Sequence, residues 1–179
     1  VKQYSNETYA TYILDWAKEQ LDLYLKGNID VLPFSIPHDA AMPFGYVFQL
    51  GDKKISIATD MGRIETDIAL CLKGSDLILL ESNHDTNMLI DGPYPYFLKR
   101  RILSEHGHLS NDQAAKLALS LARTGTKNFL FGHLSDTNNT PDIVLNTMIS
   151  SFEQEGFYNG KNIDIAVANR YSPSKLYTL

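Results

Sequence analysis

Asp76-Leu77-Ile78-Leu79-Leu80-Glu81-Ser82-Asn83-His84-Asp85 changes character halfway along its length. Four aliphatic residues between two acids are too few for a core helix and read as a fully apolar strand over Asp76–Leu80, after which the chain turns abruptly polar. Upstream, a helical pattern over Glu65–Lys73 precedes it, and three further strands are expected at Val31–Ile36, Tyr46–Leu50 and Ile55–Thr59. Gly51-Asp52 supplies a tight turn between the last two, so the sheet begins as an antiparallel hairpin. Before them, Tyr9, Tyr12, Ile13, Trp16, Leu21, Tyr24 and Leu25 recur at helical spacing over Asn6–Lys26, and Gly27 follows as a stop. Downstream, Ser110 with Gln113 three residues later resembles a capping box for a helix over Ser110–Arg123, followed by a strand at Asn128–Phe131. Thr140-Pro141 opens a helix to about Glu155, and Gly156 leads out toward a last strand at Ile163–Ala168. The sum is one mixed α/β domain, helices packed on a sheet, without internal repeats or a linker.

Composition supports a globular chain. Of 179 residues, 44% are hydrophobic and 21% charged, and ten Tyr with eight Phe supply bulk for a core that needs no cross-links. The single Cys71 forbids an internal disulfide and fits a reducing compartment, so cytoplasm is the expected location. No run of about 18 apolar residues occurs to span a membrane, and Val1-Lys2-Gln3-Tyr4 lacks signal-peptide character. Sixteen basic against twenty-one acidic residues give a net charge of −5, which excludes a chain that binds polyanions with its whole surface. A nucleic-acid role requires a local basic patch.

The chemistry gathers just beyond the strands. His38-Asp39 follows the first, Asp60 the third, Glu81 the fourth and His133 the fifth. Ligands of α/β sheets collect outside strand carboxyl ends, and imidazoles with carboxylates suit Zn, Mn or Fe, so the set points to a metal-assisted hydrolase. Each residue alone is equally a turn cap or a solvated loop group. His108 lies immediately before the capped Ser110 helix, where free N–H groups attract anions and a histidine can protonate a leaving oxygen. Lys99-Arg100-Arg101 can hold a phosphate, although adjacent helical positions diverge. Gly92-Pro93-Tyr94-Pro95-Tyr96 is a stiff aromatic loop, suited either to stacking a base or to core packing. His84 and His106 lie in polar loops and receive no ligand role, and neither a phosphate-binding glycine motif nor a thiol nucleophile is found.

The ordered set Pro37-His38-Asp39-Ala40, Thr59-Asp60-Met61-Gly62, Leu80-Glu81-Ser82-Asn83-His84-Asp85, Gly107-His108-Leu109-Ser110-Asn111 and Gly132-His133-Leu134-Ser135 resembles the metallo-β-lactamase-fold hydrolases. Gly92-Pro93-Tyr94-Pro95 and Leu98-Lys99-Arg100-Arg101-Ile102-Leu103-Ser104 place the resemblance nearest the bacterial YycJ/WalJ-like branch, related to ribonuclease Z and ribonuclease J. The resemblance implies an αββα sandwich of two mixed sheets with helices outside. It implies His38 as terminal ligand of one metal, Asp60 as a bridge and His133 as terminal ligand of a second, the ions being Zn or Mn. His108 corresponds to the histidine that contacts the scissile phosphate, and Glu81 to a group orienting a histidine beside it. Lys99, Arg100, Arg101 and Ser110 are the expected substrate contacts, and the activity implied is two-metal phosphodiester hydrolysis of nucleic acid, exonuclease-like.

One departure is large. The HxHxDH motif that supplies most ligands in this superfamily is missing, since no histidine precedes His38. Residues 1–179 are therefore expected to form the C-terminal portion of the fold, truncated at its N-terminal side, with weak or partial metal binding and no activity alone. An apolar face left uncovered favours association with an N-terminal companion chain or another copy. Two alternatives stand beside this reading: a noncatalytic binding or scaffold subunit, and a metallo-hydrolase of thioester or lactone substrates.

Overall fold

The structure, a computed structural model, describes residues 29–179. The expected helix over Asn6–Lys26 lies outside the described residues. Six strands form one mixed sheet in sequence order: β1 (Asp30–Ser35), β2 (Phe44–Leu50), β3 (Lys53–Ala58), β4 (Leu77–Glu81), β5 (Asn128–Gly132) and β6 (Asp164–Val167). β1, β2 and β3 form an antiparallel meander, and β3 through β6 run parallel. Gly51, at φ 59°, opens the two-residue turn between β2 and β3, a conformation glycine adopts without steric cost. The parallel strands are joined through helices: α1 (Thr66–Leu72) after β3, then α2 (Thr86–Asp91), α3 (Tyr96–Ile102) and α4 (Asn111–Ala122) between β4 and β5, and α5 (Pro141–Glu153) before β6. These are the mixed sheet and flanking helices that the sequence implies. α2 and α3 are additions, each too short for its periodicity to be read in a sequence window.

α1, α4 and α5 lay their apolar stripes on one face of the sheet. Ile68, Leu72, Ala114, Leu117, Ala118, Leu121, Val144, Met148 and Phe152 meet Ala58, Ile78, Leu80, Phe129, Phe131 and Ile165 there, all buried in one core. Each helix begins where its side chains dictate. Ser110 and Gln113 close the capping box, and Thr140 accepts from the Ile143 amide with Pro141 at the first helical position. The opposite face carries the in-register row Tyr46, Ile57, Leu79, Leu130 and Ala166, apolar yet only half-buried or exposed. Among the described residues there is one sheet, of the two that the sandwich resemblance implies.

The topology settles where the reactive residues go. β1 runs in the same direction as β3, since both are antiparallel to β2, so β1, β3, β4 and β5 all end at one edge. His38, Asp60, Glu81 and His133 leave the sheet together there.

Candidate metal centre

Glu81 is the hub of that edge. It is fully buried, and both carboxylate oxygens are used: Oε1 accepts from Nδ1 of His108 at 2.8 Å and of His133 at 2.7 Å, while Oε2 accepts from the Met61 amide at 2.9 Å and the Leu109 amide at 3.2 Å. Burial pushes the acid upward, but the hydrogen bonds from the two histidines, the positive character of His108 and the Met61 amide outweigh it and hold Glu81 at about 2. The carboxylate is therefore an acceptor only, so His108 and His133 must carry their protons on Nδ1. In the neutral imidazole this leaves Nε2 with a lone pair. The bond to Glu81 in turn raises the pKa of His133 above its ordinary value.

His38 reaches the same tautomer by another route. Its Nδ1 lies 3.0 Å from the carbonyl oxygen of Gly107, which can only accept, so its Nε2 is likewise presented outward. Oδ1 of Asp60 stands between the rings, 3.6 Å from Nε2 of His38, 3.6 Å from Nε2 of His133 and 3.8 Å from Nδ1 of His108. The imidazoles of His38 and His133 flank that of His108, with ring centroids 5.0 and 5.2 Å away. A 3.6 Å separation is too long for a hydrogen bond, and it suits two atoms each about 2 Å from a shared ion. Asp60, Glu81, His108 and His133 each place one ligand atom within 4.8 Å of the others. Glu81 and Nδ1 of His108 are tied to one another, so the donors that fit divalent metal are Nε2 of His38 and of His133, with lone pairs outward and tautomers fixed from behind, on either side of the Asp60 carboxylate, which is 37% exposed.

The backbone is bent to achieve this. Asp60 at φ 61° and His133 at φ 57° are the two described non-glycine residues in the left-handed region, at a cost of roughly 1–2 kcal/mol each. The glycines of the Asp60 and His108 motifs serve a different need. A Cβ on Gly62 would sit 2.3 Å from the Glu105 carbonyl carbon, and one on Gly107 2.2 Å from the carbonyl oxygen of Ile102. These two positions let the Asp60 loop press on the Glu105–Gly107 turn, which aligns His38, Asp60 and His108.

Buried amides stitch the strand exits to one another. Ser82 donates to Asn111 at 2.6 Å, Asn139 bonds both Asn111 and the Ser82 carbonyl, and the Asn83 side chain donates to the His133 carbonyl at 2.9 Å. The sequence reading did not single out Asn83, Asn111 or Asn139. Their signal was present in asparagines placed directly after β4, at the first residue of α4 and just before α5. His84 is buried beside this network, and burial pushes it down to about 4, so it is neutral. A cavity of about 610 Å³ opens next to His133, lined by Asn83, Ser135, Thr140, Val167 and Arg170 among others.

The basic run divides. Lys99 donates to the Ile90 carbonyl at 2.5 Å. Arg101 forms a two-pronged pair with Asp39, at 2.5 and 2.9 Å, and holds that carboxyl down at about 2. Arg100 remains exposed, with its guanidinium carbon 5.8 Å from the centre of the Tyr96 ring. Ser110 is buried and occupied in capping α4. No helix among the described residues is long and apolar enough to cross a membrane.

Comparison with known proteins places this geometry. A family model described as the beta-lactamase superfamily domain matches residues 3–134. The protein named exodeoxyribonuclease YycJ from Bacillus anthracis is 34% identical over 155 residues, 87% of this chain and 59% of that protein. The protein named exodeoxyribonuclease WalJ from Streptococcus pneumoniae is 36% identical over 141 residues, 79% of this chain and 52% of its own length. The chain thus spans little more than half the length of these relatives. Among solved structures, Zn(2+)-bound PqqB from Methylobacterium extorquens shares the fold with a TM-score of 0.54 and 19% identity, over 84% of this chain and 51% of its own. The metallo-β-lactamase fold protein YhfI from Bacillus subtilis aligns with a TM-score of 0.53 and 13% identity, over 79% and 47%. A mixed sheet whose strand exits carry histidines and carboxylates on one edge, and a family model covering most of the sequence, lead to one conclusion: the chain belongs to the β-lactamase superfamily, with the metallo-β-lactamase fold.

Proposed function

We propose that this chain is the C-terminal portion of a metal-dependent phosphodiesterase that acts on nucleic acid as an exonuclease. The observation that carries the reading is the shared carboxylate of Glu81, which fixes His108 and His133 in one tautomer beside Asp60. The names of the relatives from Bacillus anthracis and Streptococcus pneumoniae support deoxyribonucleic acid as the substrate class.

In this reading His38 and Asp60 would hold one divalent ion, and Asp60 with His133 would hold another. When bound, the ions activate water near neutral pH and withdraw charge from the phosphate as Lewis acids. Glu81 keeps both histidines oriented. His108, at the mouth of the capped α4 helix, acts as the imidazolium: with Nδ1–H held by Glu81, its protonated Nε2 donates to the scissile phosphate and passes that proton to the leaving oxygen, leaving the neutral ring. Arg100 contacts the strand, with Lys99 and Arg101 bracing α3 beneath it, and Ser110 keeps the α4 N-terminus directed at the phosphate.

Three side chains divided between two ions give too few protein ligands for tight sites, which usually have three or four. We place the remaining ligands in the part of the relatives' length that this chain does not match. The half-exposed row Tyr46, Ile57, Leu79, Leu130 and Ala166 is a surface on which such a portion, or a companion chain carrying it, would pack. The test uses the protein extended to the relatives' length. The extended parent is expected to bind about two metal ions and digest a DNA strand, the 179-residue chain to do neither, and extended Asp60→Ala to lose digestion by at least a hundredfold. Full digestion by extended Asp60→Ala refutes the mechanism. Cleavage of a thioester in preference to a phosphodiester reporter refutes the substrate class.

A further inference from the structure

α3 exposes what a helix normally hides. Ile102 is its buried residue, Lys99 is tied to the Ile90 carbonyl and Arg101 to Asp39, whereas Tyr96 is 75% exposed and Phe97 73% exposed. Tyr96 and Arg100 stand one helical turn apart on one face, and the guanidinium lies over the phenol ring. Two large aromatics held in water at this exposure, with a guanidinium beside the first of them, match the chemistry of a nucleobase and its phosphate. Aromatic faces stack any base, and a guanidinium pairs with the backbone. The surface is fastened to the candidate metal centre at both ends of its effect: Arg101 grips Asp39, the neighbour of His38, and the chain leaving α3 turns through Gly107 directly into His108.

We propose that Tyr96, Phe97 and Arg100 form a stacking platform for unpaired bases, which feeds a single nucleic-acid strand toward the metal centre. The inference rests on the phosphodiesterase reading and adds to it the state of the substrate: single-stranded, and gripped mainly through its bases. The net charge of −5 points the same way, because an acidic chain gains little from long-range attraction to a polyanion and must hold a strand by local contacts. With one free cation on the platform, affinity should fall gently with salt, with a log–log slope near −0.7 for one phosphate on a single strand.

The experiment measures binding of fluorescein-labelled oligo-dT to the full chain by anisotropy in chelator, so that no hydrolysis is needed. Tyr96→Ala with Phe97→Ala is expected to weaken binding at least tenfold, and an abasic strand of equal length to lose a similar factor with the parent chain. Tyr96→Phe with Phe97→Tyr, which keeps both rings, is expected to bind as the parent does and controls for folding. Equal affinity for abasic and normal strands overturns the platform, as does an alanine pair that binds unchanged. An alanine pair that alters self-association in sedimentation while leaving oligo-dT affinity unchanged also overturns it and marks a protein interface. Hydrolysis of bis(p-nitrophenyl) phosphate by the extended protein reports on the metal centre alone. A parent protein that hydrolyses the reporter but does not bind oligo-dT refutes the platform only, and one that binds oligo-dT without hydrolysing the reporter refutes the phosphodiesterase reading only.

Discussion

His133 and His38 occupy matching places on either side of Asp60, each with Nε2 3.6 Å from the same oxygen, yet they are held from behind by opposite means. His133 shares with His108 a fully buried carboxylate, a charge–dipole arrangement whose strength depends on protonation. His38 leans on the Gly107 carbonyl, a neutral acceptor fixed by tight backbone packing. One side of the centre is thus organised by electrostatics and the other by steric fit, so perturbations of charge and of shape should act on different sides.

The comparison breaks most visibly at Glu81. Glu81→Ala strips the acceptor from two imidazoles and two amides inside the protein, and the expected loss is about 3–5 kcal/mol in urea unfolding. The same group sets the acid limb. Because its folded pKa lies below the unfolded value of 4.5, its stabilisation is complete above that value and is lost as pH falls toward about 2. His133 contributes with the opposite sign: its raised pKa stabilises fully below its ordinary value of 6.5, and this fades as pH climbs through the folded one. Unfolding measured across pH should therefore show both slopes in the parent and shallower ones in Glu81→Ala.

A shape change sharpens the other side. Gly107→Ala forces a methyl against the Ile102 and Arg101 carbonyls and is expected to cost about 1–3 kcal/mol with no change in either pH slope. A variant that shifted the acid limb would show that the two sides are coupled after all. The smallest effect belongs to Arg101→Ala. The Asp39 pair lies on the surface, so the urea midpoint is expected to stay in place while the Asp39 carboxyl, followed by NMR, returns from about 2 toward 3.8.

Much of this was written in the sequence, though not evenly. Strand exits bearing His38, Asp60, Glu81 and His133 were legible because apolar runs end sharply before each of them, and the Ser110–Gln113 box announced α4 residue by residue. The double duty of Glu81 was not legible, since its partners lie 27 and 52 residues away and only the sheet order makes them neighbours. Lys99, Arg100 and Arg101 look equivalent in sequence, but helical divergence sends one to a carbonyl, one to an acid and one to solvent. The left-handed backbone at 60 and 133 was hidden for a plainer reason. Glycines nearby, Gly62 and Gly107, are there for close approach, while Asp60 and His133 take the strained conformation themselves.

That last feature sets stability against chemistry at the level of single codons. Glycine at either position would relax the backbone by roughly 1–2 kcal/mol and at once delete a side chain from the centre. At 133 the relief is set against the loss of the imidazole's bond to buried Glu81, so the two bends weigh backbone ease against side-chain position in different measure. An acid and an imidazole in those two bends thus carry a backbone cost that the position of the side chain, not local comfort, imposes.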